Sequence, residues 1–193
     1  MENYPEKLKG TYQYPGMTSV ELEQIVHQHE QVFYKKGDYL LQAEEVSNCY
    51  YILQSGMVRS FIYDFNGNDI TTDFFCEDEV VIEVASIFHQ MPTSENWQCL
   101  TDCTLWKINY DAFQELFLCI PTLTEWGRAW MAYQLFLTKK RNLDMISLSA
   151  LDRYKQLMVQ KPQIIQQAPL KYIASFLGIT DTSLSRIRKE AFR

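Results

Sequence analysis

The stretch Pro169-Leu170-Lys171-Tyr172-Ile173-Ala174-Ser175-Phe176-Leu177-Gly178-Ile179-Thr180-Asp181-Thr182-Ser183-Leu184-Ser185-Arg186-Ile187-Arg188-Lys189 decides the reading of this 193-residue chain. It reads as two short helices joined by a tight turn, the helix-turn-helix pattern. Pro169 suits the first turn of the first helix, where its missing N–H is no loss. Ile173, Phe176 and Leu177 give that helix a buried face, and Ala174 is small where a second helix crosses closely. Gly178 supplies the left-handed residue that ends the helix. Ile179 fills the space between the helices, and the Thr180 hydroxyl caps the second one. Leu184 and Ile187 hold the second helix to the core, which leaves Asp181, Thr182, Ser183, Ser185, Arg186, Arg188 and Lys189 facing outward.

That polar face suits double-stranded DNA, because residues near the start of a recognition helix meet base edges in the major groove. Arg186 is the expected base reader, since its planar fork grips guanine O6 and N7 together. Asp181 can accept from a cytosine amino group or discourage a nearby phosphate, and Thr182 can touch a base edge or a thymine methyl. Ser183, Arg188, Lys189 and Lys171 are expected on phosphates, which position a domain without specifying sequence. Thr180 and Ser185 complete the expected interface.

Charge supports this reading only through its distribution. The net charge is −6. From Ala150 onward, eight cations (Arg153, Lys155, Lys161, Lys171, Arg186, Arg188, Lys189, Arg193) face three anions (Asp152, Asp181, Glu190), which makes +5 and leaves −11 on the rest. An acidic body with a basic end fits a nucleic-acid-binding unit carried on a sensor or scaffold. On charge alone, a solvated basic surface is the better reading.

Upstream of the motif lies a second helical segment with Leu151, Tyr154, Leu157 and Met158 on one face, ended by Pro162. Before it, residues 121–148 read as one helix about 40 Å long at ~1.5 Å per residue. Pro121 opens that helix and no later proline interrupts it. Leu123, Trp126, Trp130, Tyr133 and Leu137 follow a 3-4-3-4 spacing, the seam of a coiled coil, and are expected at a homodimer contact. The alternative is a helix packed on its own domain.

Residues 1–120 change texture again. Val20, Leu22, Ile25 and Val26 carry helical spacing. Then come short β-rich runs: Tyr39 to Leu41, Tyr50 to Leu53, Met57 to Tyr63, Ile70 to Phe75, Trp97 to Leu100 and Leu105 to Ile108. Turn signals at Ser55-Gly56, Asn66-Gly67-Asn68 and Met91-Pro92 separate them, the pattern of an antiparallel barrel or jelly roll. Asn66-Gly67 is a hairpin signal because both residue types tolerate positive φ. A short helix is expected over Asp111 to Leu118. The fold class is therefore α+β, with three parts: an antiparallel β-roll (1–120), a long linking helix (121–148) and a helix-turn-helix domain (149–193).

Several function classes are excluded or disfavoured. Apolar residues make up 47% and charged residues 22%, a folded globular composition. No apolar run approaches the ~20 residues needed to span a bilayer, and the polar start Met1 to Gly10 has no secretory h-region. A cytoplasmic location without membrane partners is expected. Five cysteines, Cys49, Cys76, Cys99, Cys103 and Cys119, form no C-x-x-C pair and read as free thiols. Cys99 and Cys103 are four apart, an even spacing that puts both on one face of a strand as small buried hydrophobes. His27, His29 and His89 join them in no ligand set, so no metal and no cofactor is expected. No nucleophile elbow, phosphate loop or His-rich cupin set is present, and no enzyme activity is expected.

These residues resemble the Crp/Fnr family of bacterial regulators over nearly the whole chain, from about residue 20. The likeness is strongest in Ile173 to Lys189. Tyr154, Pro162 and the stretch Ile173-Ala174-x-x-Leu177-Gly178-Ile179-Thr180 look like the variety found in Bacteroidetes. Lys36-Gly37-Asp38 and Tyr51-Ile52-Leu53-x-Ser55-Gly56-x-Val58 are similar to the opening strands and turn of the family's β-roll. The resemblance implies a cyclic-nucleotide-binding-like domain, a dimerisation helix, a DNA-binding end and RNA polymerase as a further partner.

The resemblance also defines an effector pocket, and there the pattern breaks. The family carries Gly-Glu before a short helix and Arg-Ser/Thr-Ala about ten residues later, the Glu taking the ribose and the Arg the cyclic phosphate. The corresponding positions are Ile82-Glu83-Val84-Ala85 and Thr93-Ser94-Glu95. Glu83 is retained, but Thr93 stands where the arginine belongs, and Glu95 adds a negative charge. A phosphate would lose a charge-assisted contact of ~1.5–3 kcal/mol, about ten- to a hundredfold in affinity. The expectation is a pocket that does not bind cyclic AMP well. It holds an unknown small-molecule effector, or it is filled by side chains such as Phe88 and Trp97. A cyclic-nucleotide receptor with a non-standard phosphate site is the alternative.

Overall fold

A computed structural model describes residues 6–191. Met1 to Pro5 and the terminal cation Arg193 counted above lie outside the described residues. The chain opens with α1 (Glu6–Thr11) and α2 (Ser19–His27). A capping box starts α2: the Thr18 hydroxyl accepts from the Glu21 N–H at 3.2 Å, and the Glu21 carboxylate accepts from the Thr18 N–H at 2.8 Å.

Strands β1 (Glu30–Tyr34), β2 (Tyr39–Leu41), β3 (Cys49–Ser55), β4 (Val58–Tyr63), β5 (Asp69–Phe75) and β6 (Val80–Val81) follow. Then come α3 (Val84–His89), β7 (Asn96–Cys99), β8 (Cys103–Asn109) and α4 (Tyr110–Cys119). The strands form two four-stranded sheets, ordered β1-β8-β3-β6 and β2-β7-β4-β5, with antiparallel pairing throughout. The class is α+β.

Alternation along β3 explains the layering. Cys49, Tyr51 and Leu53 point into the core between the sheets, with Val58, Trp97, Cys99, Cys103 and Leu105. Tyr50 and Ile52 point the other way, into a second core under the helices with Tyr12, Ile25, Trp106, Phe113 and Trp126. A strand buried on both faces reads as a continuous apolar run, which is what Tyr50 to Leu53 is.

Inside the second core, His29 is held by a relay. Its Nδ1 lies 2.9 Å from the Ile25 carbonyl, which can only accept, so Nδ1 carries the proton and Nε2 accepts from Tyr12 Oη at 2.8 Å. Tyr50 Oη in turn donates to Tyr12 at 2.7 Å. Burial lowers the His29 pKa to about 4, so the ring is neutral at pH 7.

Beyond the β-roll run α5 (Pro121–Ser147), α6 (Ala150–Gln160), α7 (Pro162–Gln167), α8 (Leu170–Phe176) and α9 (Asp181–Ala191). Pro121 opens α5 as expected. No helix is long and apolar enough to cross a membrane among the described residues.

Several expectations need correction. Asn66-Gly67 does join β4 to β5, but only Gly67 has positive φ (+79°). The Asp64 carboxylate organises the loop by accepting from the N–H groups of Asn66 (2.8 Å) and Asn68 (2.9 Å). Cys99 and Cys103 do not share a strand: they end β7 and start β8, in different sheets, although both are buried in the inter-sheet core. Pro169 is the N-cap of α8 with extended ψ, not its first helical residue. The elements α1, β1, β6 and α7 were not read from the sequence. β6 has only two residues, and β1 is an edge strand whose Phe33 lies exposed.

The coiled-coil seam is the largest correction. Leu123 and Trp126 are buried in their own β-roll core, and Trp130 packs against the same core. Trp126 also donates from Nε1 to the Thr11 carbonyl at 2.8 Å. Only Tyr133 and Leu137 of the five stay exposed. The seam's N-terminal half is therefore the helix's inner face, unavailable to a second chain. A different 3-4-3-4-3 row, Ala129, Ala132, Phe136, Lys139, Leu143 and Ile146, lies on the outer face, where Phe136, Leu143 and Ile146 are all exposed.

Candidate nucleic-acid interface

The last four helices share one apolar core: Tyr154, Leu157, Ile164, Ala168, Ile173, Ala174, Leu177 and Leu184. Ser149 starts α6 by accepting from the Asp152 N–H at 3.2 Å. Arg153 then ties helix ends together, donating to the Leu148 carbonyl at 2.7 Å and to the Leu177 carbonyl at 2.9 Å. Carbonyls at helix C-termini are unpaired and partly negative, so a guanidinium is well matched to them. This clamp was invisible in sequence, where Arg153 was one cation among eight.

The turn follows the expected chemistry. Gly178 sits at φ +67°, and a Cβ there would come within 2.8 Å of Met145 Cε. The Gly178 N–H donates to the Ser175 carbonyl and the Ile179 N–H to the Ala174 carbonyl, both at 3.0 Å. Thr180 Oγ1 accepts from the Ser183 N–H at 3.3 Å, and the Leu184 N–H closes the first turn of α9 on the Thr180 carbonyl at 2.9 Å. Leu184 is fully buried against Ala174 and its neighbours, which fixes the crossing of α8 and α9.

Asp181, Thr182, Ser185, Arg186 and Lys189 stand exposed along α9. Ser183 and Arg188 are half-buried at its flanks rather than fully outward. Lys171 is exposed on α8 with its ammonium 4.7 Å from the centre of its neighbour Tyr172's ring. The expected interface residues thus fall on α8, the turn after it and α9.

Two of the residues expected at an effector pocket, Glu83 and Thr93, are engaged with their own chain. Glu83 is the N-cap of α3, its carboxylate accepting from the Ser86 N–H. Val84 and Ala85 form the first turn of α3. Thr93 is buried and stitched to a loop, its N–H donating to the Glu45 carbonyl and its carbonyl accepting from Glu44, both at 2.9 Å. Its hydroxyl accepts from the Glu95 N–H at 3.1 Å, and Ser94 is exposed. The Glu95 carboxylate accepts from Trp97 Nε1 at 3.0 Å. The Trp97 indole is 2% exposed and packs on Phe75 with ring centres 5.5 Å apart. Trp97 therefore lies in the core between the sheets, whereas Phe88 packs on Tyr110 in the helical core.

An antiparallel β-roll, a long linking helix and a terminal helix-turn-helix define the architecture. Comparison with known proteins agrees. Residues 31–118 match the cyclic nucleotide-binding domain family. The chain is 28% identical over 125 residues to the HTH-type transcriptional regulator ArcR of Staphylococcus aureus, a match covering 58% of this chain and 51% of that protein. It thus spans about half the length of the curated relatives it matches. The fold is similar to FixK2 from Bradyrhizobium japonicum (TM-score 0.73, 15% identity, 85% of this chain and 84% of that one). It is also similar to the c-di-GMP responsive global regulator CLP of Xanthomonas campestris (TM-score 0.69, 15% identity, 90% and 91%). Over residues 31–118 the chain is thus similar to the cyclic nucleotide-binding domain family, and its fold is similar to that of Crp/Fnr regulators.

Proposed function

We propose that this protein is a sequence-specific, DNA-binding transcription regulator of the cytoplasm, with no enzymatic activity of its own. The observation that carries the reading is the turn between α8 and α9. Left-handed Gly178, capping Thr180 and buried Leu184 support α9 with a free polar face, the disposition that DNA reading needs. Asp181, Thr182 and Arg186 are its base-facing residues, and Lys171, Ser183, Arg188 and Lys189 its phosphate-facing ones. It acts as a homodimer through the outer face of α5, centred on Phe136, Leu143 and Ile146, with RNA polymerase as a further partner.

The β-roll does not take cyclic AMP at the family's position. Thr93 there is already bonded to Glu44 and Glu45, Glu95 contributes negative charge, and Trp97 occupies the interior. The match of residues 31–118 to the nucleotide-binding family, together with Glu83, favours a second reading in which another small molecule is sensed with different phosphate contacts. Two assays test both. Duplexes selected from a randomised pool are expected to be palindromic and to bind tighter than random duplex; equal affinity for both sinks the regulator reading. Calorimetry with cyclic AMP and cyclic GMP is expected to give no heat of binding, and micromolar binding of either sinks the closed-pocket reading.

A further inference from the structure

Strand β5 and helix α8 meet across the boundary between the β-roll and the DNA-binding end, and a buried cation lies at the seam. Arg59, on β4, is 2% exposed. Its Nη1 and Nη2 donate to the two Asp69 carboxylate oxygens at 2.7 and 2.8 Å, and Nη2 also reaches Gln98 Oε1 at 3.3 Å. Two rings cover the guanidinium, that of Phe61 with its centre 4.0 Å from Cζ and that of Tyr172 at 3.5 Å. Phe61 belongs to the β-roll, but Tyr172 belongs to α8. The DNA-binding end therefore supplies part of the cover that keeps this cation from water.

The neighbouring contacts repeat on the same helix face. The Thr71 N–H of β5 donates to Ser175 Oγ at 3.1 Å. Phe176 packs edge-on against Phe74 of β5 with ring centres 5.2 Å apart, and the Arg141 guanidinium of α5 lies 4.0 Å from the Phe176 ring centre while donating to the Thr72 carbonyl. Tyr172, Ser175 and Phe176 are spaced i, i+3, i+4, so one face of α8 is held along its length. Ile173, Ala174 and Leu177 lie in the core shared with Leu184 of α9.

We propose that Arg59 is a positioning residue for DNA recognition: held by Asp69 and covered by Tyr172, it fixes α8 on β5 and so presets where the recognition helix stands. The proposal rests on the DNA-binding reading above. It accounts for the planar cation, because a guanidinium can bind a carboxylate in bidentate fashion while its face stays free for an aromatic ring, which an ammonium cannot do. With α8 docked, Asp181, Thr182, Ser185, Arg186 and Lys189 stay exposed on α9. In a two-fold dimer the position of α9 on each protomer sets the separation of the half-sites it can read.

The test uses the full chain with Tyr172→Ala, which removes the ring from a half-buried helix position, and Tyr172→Phe, which keeps it. Arg59→Met is a second variant that removes the charge from the other partner. Amide exchange is followed at Thr71 and along α8, and binding is measured to selected palindromic duplexes whose half-sites are re-spaced base pair by base pair. Tyr172→Ala is expected to accelerate exchange at Thr71 and to lose roughly tenfold affinity at the preferred spacing, the worth of one desolvated cation–ring contact. Its binding to the other spacings is expected to stay unchanged, so the spacing profile flattens. Arg59→Met is expected to follow it, and Tyr172→Phe to behave as wild type. A wild-type spacing profile in Tyr172→Ala overturns the proposal alone, as does tighter binding, which would mean that the contact holds α9 away from DNA. A wild-type chain that binds no duplex overturns the DNA-binding reading itself, whatever the exchange result.

Discussion

The two ends of this molecule use polar side chains in opposite ways. Along α9, Asp181, Thr182, Ser185, Arg186 and Lys189 reach into solvent from a helix that is already capped and packed without them. In the β-roll, Glu83 caps α3, Thr93 is bonded to the Glu44–Glu45 loop, Glu95 accepts from Trp97, and His29 sits in a relay with Tyr12 and Tyr50. Polar groups that the fold does not need are free for a partner. Groups already satisfied inside must break existing bonds to bind one, at about 1–3 kcal/mol for each buried group left unpaired. The difference separates a polar surface that stays open from polar groups that the fold already uses.

The harshest test of that contrast is Trp97→Ala. Truncating this buried indole is expected to destabilise the chain by about 3–5 kcal/mol, read from denaturant midpoints. Calorimetry on the folded fraction is expected to show no gain of cyclic AMP binding, because the phosphate position still lacks a cation. Restored binding would mean that Trp97 alone closes the site.

A pH titration comes next. The His29 pKa is depressed from 6.5 to about 4 by burial, so the unfolded chain takes up a proton before the folded one does. Its contribution is complete above about pH 6.5 and is lost as pH falls toward 4, up to ~3 kcal/mol. His29→Gln is expected to flatten the stability profile across that window; an unchanged slope would remove His29 as the cause.

At the open end the effects are smaller and fall on binding. Arg186→Ala is expected to cost about 1–3 kcal/mol on the selected duplex and to relax preference at one base, with random duplex unaffected. Thr180→Ala is expected to lower thermal stability by ~1 kcal/mol through the lost cap, with base preference intact. A change of preference in Thr180→Ala would make that residue a reader rather than a cap.

The open end was legible in the sequence because its determinants are local. Gly178, Thr180, Ala174 and Leu184 act within a dozen residues, and each residue type has a specific backbone or packing reason to be there. The inner and outer faces of α5 were not separable in the same way. Leu123-Trp126-Trp130-Tyr133-Leu137 and Ala129-Ala132-Phe136-Leu143-Ile146 both keep heptad spacing, and only the position of the β-roll decides which one is covered. Arg59, Asp69 and Tyr172 come from three different elements, and nothing in the local pattern of β4 marks Arg59 as more than a strand residue. In the β-roll, the family resemblance put Thr93 where an arginine is expected, but which aromatic side chain enters the inter-sheet core depended on the register of β7, which turns Trp97 inward and leaves Phe88 to the helical core.

The central claim, an open reading surface coupled to a closed β-roll, is tested most directly by one titration. Fluorescence anisotropy of a selected palindromic duplex with the full chain, with and without saturating cyclic AMP or cyclic GMP, reads both ends at once. The account predicts binding tighter than to random duplex and unaltered by either nucleotide. Equal affinity for selected and random duplex, or binding that appears only when a cyclic nucleotide is added, would contradict it.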